Sequence, residues 1–217
     1  MKTFTSLGIL ILIILLFSCG GQKNKMSDET EKNASSINIE KIELTALTRQ
    51  VYDWHMNNRI DEFPYSYEEQ QDSIFSGIDW VQYQSNINLI ENTGFFASDF
   101  FRKHKTIAMT LDSSIKKADI TWRNLNDGIP LWETNADDWC GCQDYPDNYW
   151  EFLRIDSLSI ENDYAEFIWT WDPETNRDSH TYKLSAKREN GRWKISSLEG
   201  FKYYYSVEHY DKLMNED

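Results

Sequence analysis

At 217 residues the chain has room for one domain with appendages and is too short for several large ones. Apolar residues make up 40% of it and aromatic residues 15%, with 9 Trp, 12 Tyr and 11 Phe, so a sizeable core can be buried and disorder along the whole length is excluded. A formal charge of −14, from 22 Lys and Arg against 36 Asp and Glu, offers no positive face to nucleic acid or to an anionic membrane surface.

The first element in chain order is an address. Met1-Lys2 gives a short positive start, and Leu7 to Phe17 is an apolar run too short to cross a hydrocarbon core of roughly 30 Å, which takes about 20 helical residues. Residues 1–18 therefore read as a signal peptide. The run closes on Leu16-Phe17-Ser18-Cys19-Gly20, a large aliphatic residue, a spacer, a small residue and a cysteine, which resembles the lipobox of bacterial lipoprotein precursors. The resemblance implies that Cys19 carries the lipid and that the peptide before it is removed. The mature protein would then sit in the bacterial cell envelope, extracytoplasmic and held to the membrane by its N-terminal lipid, with the outer membrane as the expected address. Acyl chains anchor at about 0.8 kcal/mol per buried CH₂. Residues 20–36 hold one Met and one Ala among polar residues and Gly. With Cys19 they are expected to form a disordered tether, 19–36, reaching about 20 to 25 Å. The remainder, 37–217, is expected to be a single domain.

Its first part has helical periodicity. Leu44, Leu47, Val51 and Trp54 form a stripe that ends near Asn57-Asn58, and Pro64 opens a loop. Trp80, Tyr83, Ile87 and Ile90 form a second stripe, stopped by Asn92-Thr93-Gly94. Phe96, Phe100, Phe101 and His104 start a third, capped at Thr93 or Ser98, and Ile107, Leu111 and Ile115 continue or restart it.

From about Tyr149 the period becomes two. Phe152 to Ile160 alternates, Glu161-Asn162-Asp163 turns, and Ala165, Phe167, Trp169 and Trp171 share one face of the next strand. Residues 172–176 make a second turn, Tyr182, Leu184 and Ala186 mark a third strand, and Glu189-Asn190-Gly191-Arg192 leads into Trp193-Lys194-Ile195. The expected fold class is α+β, with N-terminal helices packed on a curved, cone-like antiparallel sheet of about four strands. Helices followed by a meander closing on Asn190-Gly191-Arg192-Trp193-Lys194-Ile195 resemble the nuclear-transport-factor-2-like (cystatin-like) domains. Gln143-Asp144-Tyr145-Pro146-Asp147, just before the first strand, is similar to a motif in bacterial envelope lipoproteins of that fold. The resemblance spans about residues 40–205. It implies a fold, an envelope location and a homodimer formed through the sheet, and it carries over no catalytic residue.

Three chemistries are open at Cys140-Gly141-Cys142. A disulfide between Cys140 and Cys142 closes a small, strained ring, either structural or a labile redox group. Alternatively the thiolates hold a soft metal, although no His lies between 104 and 180, or both cysteines stay reduced and partly buried. The same loop is acidic, and Asp137, Asp138, Asp144 and Asp147 could offer oxygen ligands to Ca²⁺, although their spacing is not that of an EF-hand and a solvated acidic loop serves equally well. No metal and no cofactor is expected. His55, beside the first stripe, is the one candidate general base, with a structural hydrogen bond as its plainer use. His104, His180 and His209 read as surface or turn residues. Trp169 and Trp171 read as core, or as a face for a sugar ring, and Tyr203, Tyr204 and Tyr205 as a candidate binding surface. Gly-rich phosphate loops, His-Glu-x-x-His and Gly-x-Ser-x-Gly are absent from the sequence. The functional expectation is a non-enzymatic envelope lipoprotein that binds a small ligand or an envelope protein. The alternative is a small-molecule isomerase or hydrolase using a pocket in the cone with His55 or an acidic residue at its base.

Overall fold

A computed structural model describes residues 23–125, 136–143, 148–171 and 180–202. The chain divides into two units, residues 1–39 and 40–217. The described part of the first is helical from Lys23, the start of helix α1 (Lys23–Asn58). This differs from the tether expected over 19–36, of which residues 19–22 lie outside the described ones: its Lys, Glu, Met and Ala residues include good helix formers and no Pro or Gly interrupts them after Gly21, so local propensity favours a helix. Among the described residues no helix is long and apolar enough to cross a membrane.

In the second unit α1 presents Leu44, Thr48, Val51, Tyr52 and His55 as its buried face, while Leu47 and Trp54 of the expected stripe are half-buried. Thr48 is tolerated inside because its hydroxyl donates to Leu44 O at 2.7 Å. A hairpin, β1 (Tyr65–Glu68) and β2 (Gln71–Ile78), follows and forms a two-stranded sheet of its own. Nothing in the sequence announced it, because its turn puts Gln70 at φ 67 without the Gly or Asn that marks left-handed positions. Helix α2 (Trp80–Asn92) starts at Asp79, whose carboxylate accepts from Val81 N and Gln82 N at 3.0 Å each.

Helix α3 (Ser98–Lys117) buries Phe100, His104, Ile107, Ala108, Leu111 and Ile115, one continuous stripe, and packs on β2 and on the last strand, β6 (Arg192–Leu198). Its N-cap position is Ala97, which has no capping oxygen. The oxygen is supplied from the sheet: Glu189 accepts from Ser98 N at 3.0 Å and from Ser98 Oγ at 2.7 Å. Two single-turn helices, α4 (Ile120–Arg123) and α5 (Tyr149–Phe152), precede the main sheet.

That sheet is an antiparallel meander of β3 (Arg154–Glu161), β4 (Tyr164–Thr170), β5 (Thr181–Glu189) and β6, in that spatial order. The architecture is therefore α+β, with four strands in the main sheet as the alternation predicted. Asn162 at φ 55 and Asn190-Gly191 at φ 54 and 76 make the tight turns. Ile155, Phe167, Trp169, Tyr182, Leu184, Trp193, Ile195 and Leu198 are buried from the sheet, and Trp169 opposite Tyr182 and Phe167 opposite Leu184 are its central cross-strand pairs. The outer edge of β6 is closed by Phe95–Ala97, through Ile195 N to Phe95 O and Ala97 N to Ile195 O, both 2.8 Å. A 3₁₀ turn, Gly200–Lys202, ends the described chain and buries Phe201.

Candidate functional site

A loop of the second unit contributes to its hydrophobic core. Ala136–Gln143 carries three interior side chains, Trp139, Cys140 and Cys142, at 1%, 0% and 7% exposure. A loop can lie there only if its backbone polar groups find partners, and they do. Asp137 N donates to Cys142 O at 2.9 Å, and Gly141 N and Cys140 N donate to Asp137 O at 2.6 and 3.2 Å. Tyr182 Oη donates to Asp138 O, Tyr52 Oη to Trp139 O at 2.5 Å, and His180 Nε2 to Cys140 O at 2.7 Å. The two tyrosines are themselves tied in, because Trp169 Nε1 donates to Tyr52 Oη at 3.0 Å and Gly200 N to Tyr182 Oη at 2.6 Å. Burial pushes the hydroxyl pKa of Tyr52 and of Tyr182 far up, so both remain donors at any physiological pH. Gly200 is required by proximity: a Cβ there would run into the backbone of Asp138. Cys140 and Cys142 are joined by a disulfide, with Cα atoms 5.3 Å apart, and Gly141 between them sits at φ 64.

His55 lies under this loop at 7% exposure. Its Nε2 donates to Asp137 Oδ2 at 2.9 Å, and its ring stacks on Trp139 with centroids 4.3 Å apart and planes 12° from parallel. Asp137 Oδ1 also accepts from Trp139 N at 2.9 Å. Trp139 Nε1 donates to Glu62, a residue that is half-buried as a whole but whose carboxyl lies inside; burial pushes its pKa up to about 8, with Asp138 and Asp137 adding to the rise. Glu62 is thus predominantly an uncharged acid at neutral pH. An imidazole oriented by a carboxylate is the geometry of a positioned base. The remaining nitrogen, Nδ1, is buried without a hydrogen-bond partner among the described residues, and Trp139 covers one face of the ring, so the base is sealed in this state.

The other sequence candidates fall out as follows. Asp137 is committed to His55 and Trp139, and Asp138 borders the same loop, while Asp144 and Asp147 lie outside the described residues; among those described, no group of three or more His, Cys, Asp or Glu could hold a metal ion. Cys19, His209, Tyr203, Tyr204 and Tyr205 also lie outside them. His104 is not a surface residue: it is 1% exposed in the α3 stripe, shares a 3.0 Å hydrogen bond with Tyr83 Oη through Nδ1, and burial drives its pKa down to about 3, so it is neutral. His180 is half-buried, stacked on Trp171 at 4.5 Å besides holding Cys140 O. Trp169 is core, at 0% exposure.

Open recesses among the described residues include two elsewhere that His55 does not line. One is a groove of about 820 Å³ bounded by Glu43, Leu47 and Gln50 of α1, by Phe95, and by Arg192 and Trp193 past the β5–β6 turn. The side chains of Gln50 and Arg192 make no hydrogen bond or ion pair among the described residues. The other, about 240 Å³, is a shallow dip on the sheet at Ser157, Ser159, Glu166, Ile168 and Lys183. Sequence reasoning missed Tyr52, Glu62, Trp139 and Tyr182; only Trp139, adjacent to Cys140-Gly141-Cys142, carried a local hint. No protein-family model matches the chain, and neither a curated protein nor a solved structure matches it.

Proposed function

We propose that the protein is a membrane-anchored bacterial envelope lipoprotein, lipidated at Cys19, whose domain binds a small ligand or a segment of an envelope protein and performs no reaction on it. The Leu16-Phe17-Ser18-Cys19 junction supports the anchor, and the order of helices before meander supports a nuclear-transport-factor-2-like, cone-shaped domain behind a signal peptide. The observation that carries the binding role is the groove of about 820 Å³, within the usual size range of ligand sites, in which aromatic and aliphatic walls from Phe95, Trp193 and Leu47 are combined with the unengaged polar side chains of Gln50 and Arg192. A photo-crosslinking amino acid at Leu47 or Arg192, in cells, is expected to give a discrete adduct that is absent when the same group stands at Met109, exposed on α3. Equal labelling at all three positions would remove the groove from the proposal. Metabolic labelling with an alkyne fatty acid, lost on Cys19→Ala, tests the anchor separately.

The 2.9 Å His55–Asp137 pair supports a second reading, the small-molecule isomerase or hydrolase, in which His55 is the base. That reading requires Trp139 to move away first. Turnover of any substrate by the wild type that His55→Gln abolishes, with the fold intact, would establish it over the first.

A further inference from the structure

We propose that the Ala136–Gln143 loop is a plug over His55 and that the Cys140–Cys142 disulfide is its redox latch, so that a dithiol reductant opens the centre of the domain. Three observations combine. The disulfide closes a ring inside the loop, and no other element is tied by it. Every carbonyl from Asp137 to Cys140, and that of Cys142, accepts a hydrogen bond in the seated loop, three of them from side chains on two other parts of the fold: Tyr52 of α1, and Tyr182 and His180 at the start of β5. That alignment needs the loop backbone held in one conformation, with Gly141 at φ 64, which the ring enforces. Finally, the two groups that seal His55, the Asp137 carboxylate and the Trp139 ring, both belong to the plug.

The exchange balances as follows. A thiolate of the dithiol attacks Cys142 Sγ, the cysteine with the greater exposure at 7%; the Cys140–Cys142 bond breaks and Cys140 leaves as a thiolate that takes up a proton. The second thiolate of the dithiol attacks the mixed disulfide, releases Cys142 to be protonated, and closes the reductant's own disulfide. Two electrons and two protons pass to the protein. Opening a three-residue ring restores chain entropy to the unseated loop worth about fifteenfold in its population, by the ring-size relation for disulfides. The reverse oxidation would reseat the plug. This goes beyond the binding reading, since it concerns access to the centre and leaves the groove untouched.

The test uses the full chain, oxidised and after dithiothreitol, with diethyl pyrocarbonate modification of each histidine followed by peptide mass spectrometry. The expected result is that dithiothreitol exposes two new thiols and raises the rate at His55 by about fifteenfold, while buried His104, held by Tyr83 and outside the plug, keeps its rate. C140S/C142S should show the raised His55 rate without reductant. The proposal is overturned if the disulfide resists dithiothreitol until denaturant is added, if His55 stays as protected after reduction as before, or if His104 rises together with His55, since that would make the bond a support of the whole fold. The wild-type measurement decides the matter even if the double variant fails to fold.

Discussion

The surroundings of Trp139 and the groove beside Trp193 are both lined by aromatic and polar side chains, yet the hydroxyls and carbonyls around Trp139 are paired where the groove holds two polar side chains without a partner among the described residues. Around Trp139 each hydroxyl and backbone carbonyl is engaged, from Tyr52 and Tyr182 to the carbonyls of 137–140. Beside Trp193, Gln50 and Arg192 line the open groove and make no hydrogen bond or ion pair among the described residues. Desolvated, satisfied groups contribute stability and are costly to disturb, whereas solvated, unsatisfied ones contribute little and are free to meet a ligand. The first region is therefore where substitutions should unfold the protein and the second where they should alter binding alone.

The largest effect is expected at Trp139. Trp139→Ala removes a ring that contacts His55, Trp54, Phe96 and Phe201 and leaves a buried hole, and should cost about 3 to 5 kcal/mol in urea unfolding. A cost below about 1 kcal/mol would mean that the loop is not seated in solution. Next comes the pH dependence set by Glu62. Its folded pKa of about 8 lies above the ordinary 4.5, so between these values the folded state holds a proton that the unfolded state has released. Stability from this group is therefore intact below about pH 4.5, falls by up to about 1.4 kcal/mol per pH unit as pH rises toward 8, and is flat above it. Glu62→Gln, which stays uncharged, should flatten urea midpoints across pH 5 to 8; an unchanged slope would place the carboxyl in water.

How much of this was legible follows from the range of the interactions. The four-strand meander could be read because period-two alternation and the Asn162 and Asn190-Gly191 turns are local signals. Helices α2 and α3 could be read for the same reason, their apolar stripes being continuous. The α1 stripe was half-read: Leu44 and Val51 were clear, but Thr48 and Tyr52 carry polar atoms and were not assigned to the buried face, while His55 was placed beside the stripe with a structural hydrogen bond as its plainer use. What buries Tyr52 is a carbonyl 87 residues away, and what buries His55 is a carboxylate 82 residues away, and no spacing rule sees either. His55 was singled out for its chemistry, whereas Glu62, in an acidic stretch with Asp61, looked like any solvated carboxylate. The Tyr65–Ile78 hairpin failed on one residue, the left-handed Gln70.

A smaller effect tests single hydrogen bonds in the sealed region. Tyr52→Phe keeps the ring against Tyr149 and Trp169 but leaves Trp139 O and Trp169 Nε1 without their partner, and should cost about 1 to 3 kcal/mol. Glu189 lies between the two regions, on the groove wall while its carboxylate serves as the missing cap of α3; the hydrogen bond from the Ser98 hydroxyl holds its pKa below the usual carboxylate value. Glu189→Ala should cost about 1 kcal/mol, the size of a lost helix cap. A loss several times larger would show that the groove wall is part of the stability core and would blur the distinction between the regions.

The smallest stability effect should accompany the largest effect on binding. Arg192 is exposed, has no partner among the described residues, and stands at the first position of β6, where its backbone pairs with Glu189 whatever its side chain. Arg192→Ala should therefore move the urea midpoint by no more than the equivalent of about 0.5 kcal/mol. In cells, the adduct formed by a photo-crosslinker at Leu47 should weaken in the Arg192→Ala background, because a cation on the groove wall that no group among the described residues uses is available to a ligand's acceptor. If Arg192→Ala left the Leu47 adduct intact, the groove would hold its ligand by apolar contact with Phe95 and Trp193 alone, and Arg192 would be an ordinary solvated arginine. If it lowered stability instead, the open region would be closed in solution by something that pairs with Arg192, and the distinction between a saturated core and a free groove would no longer hold there.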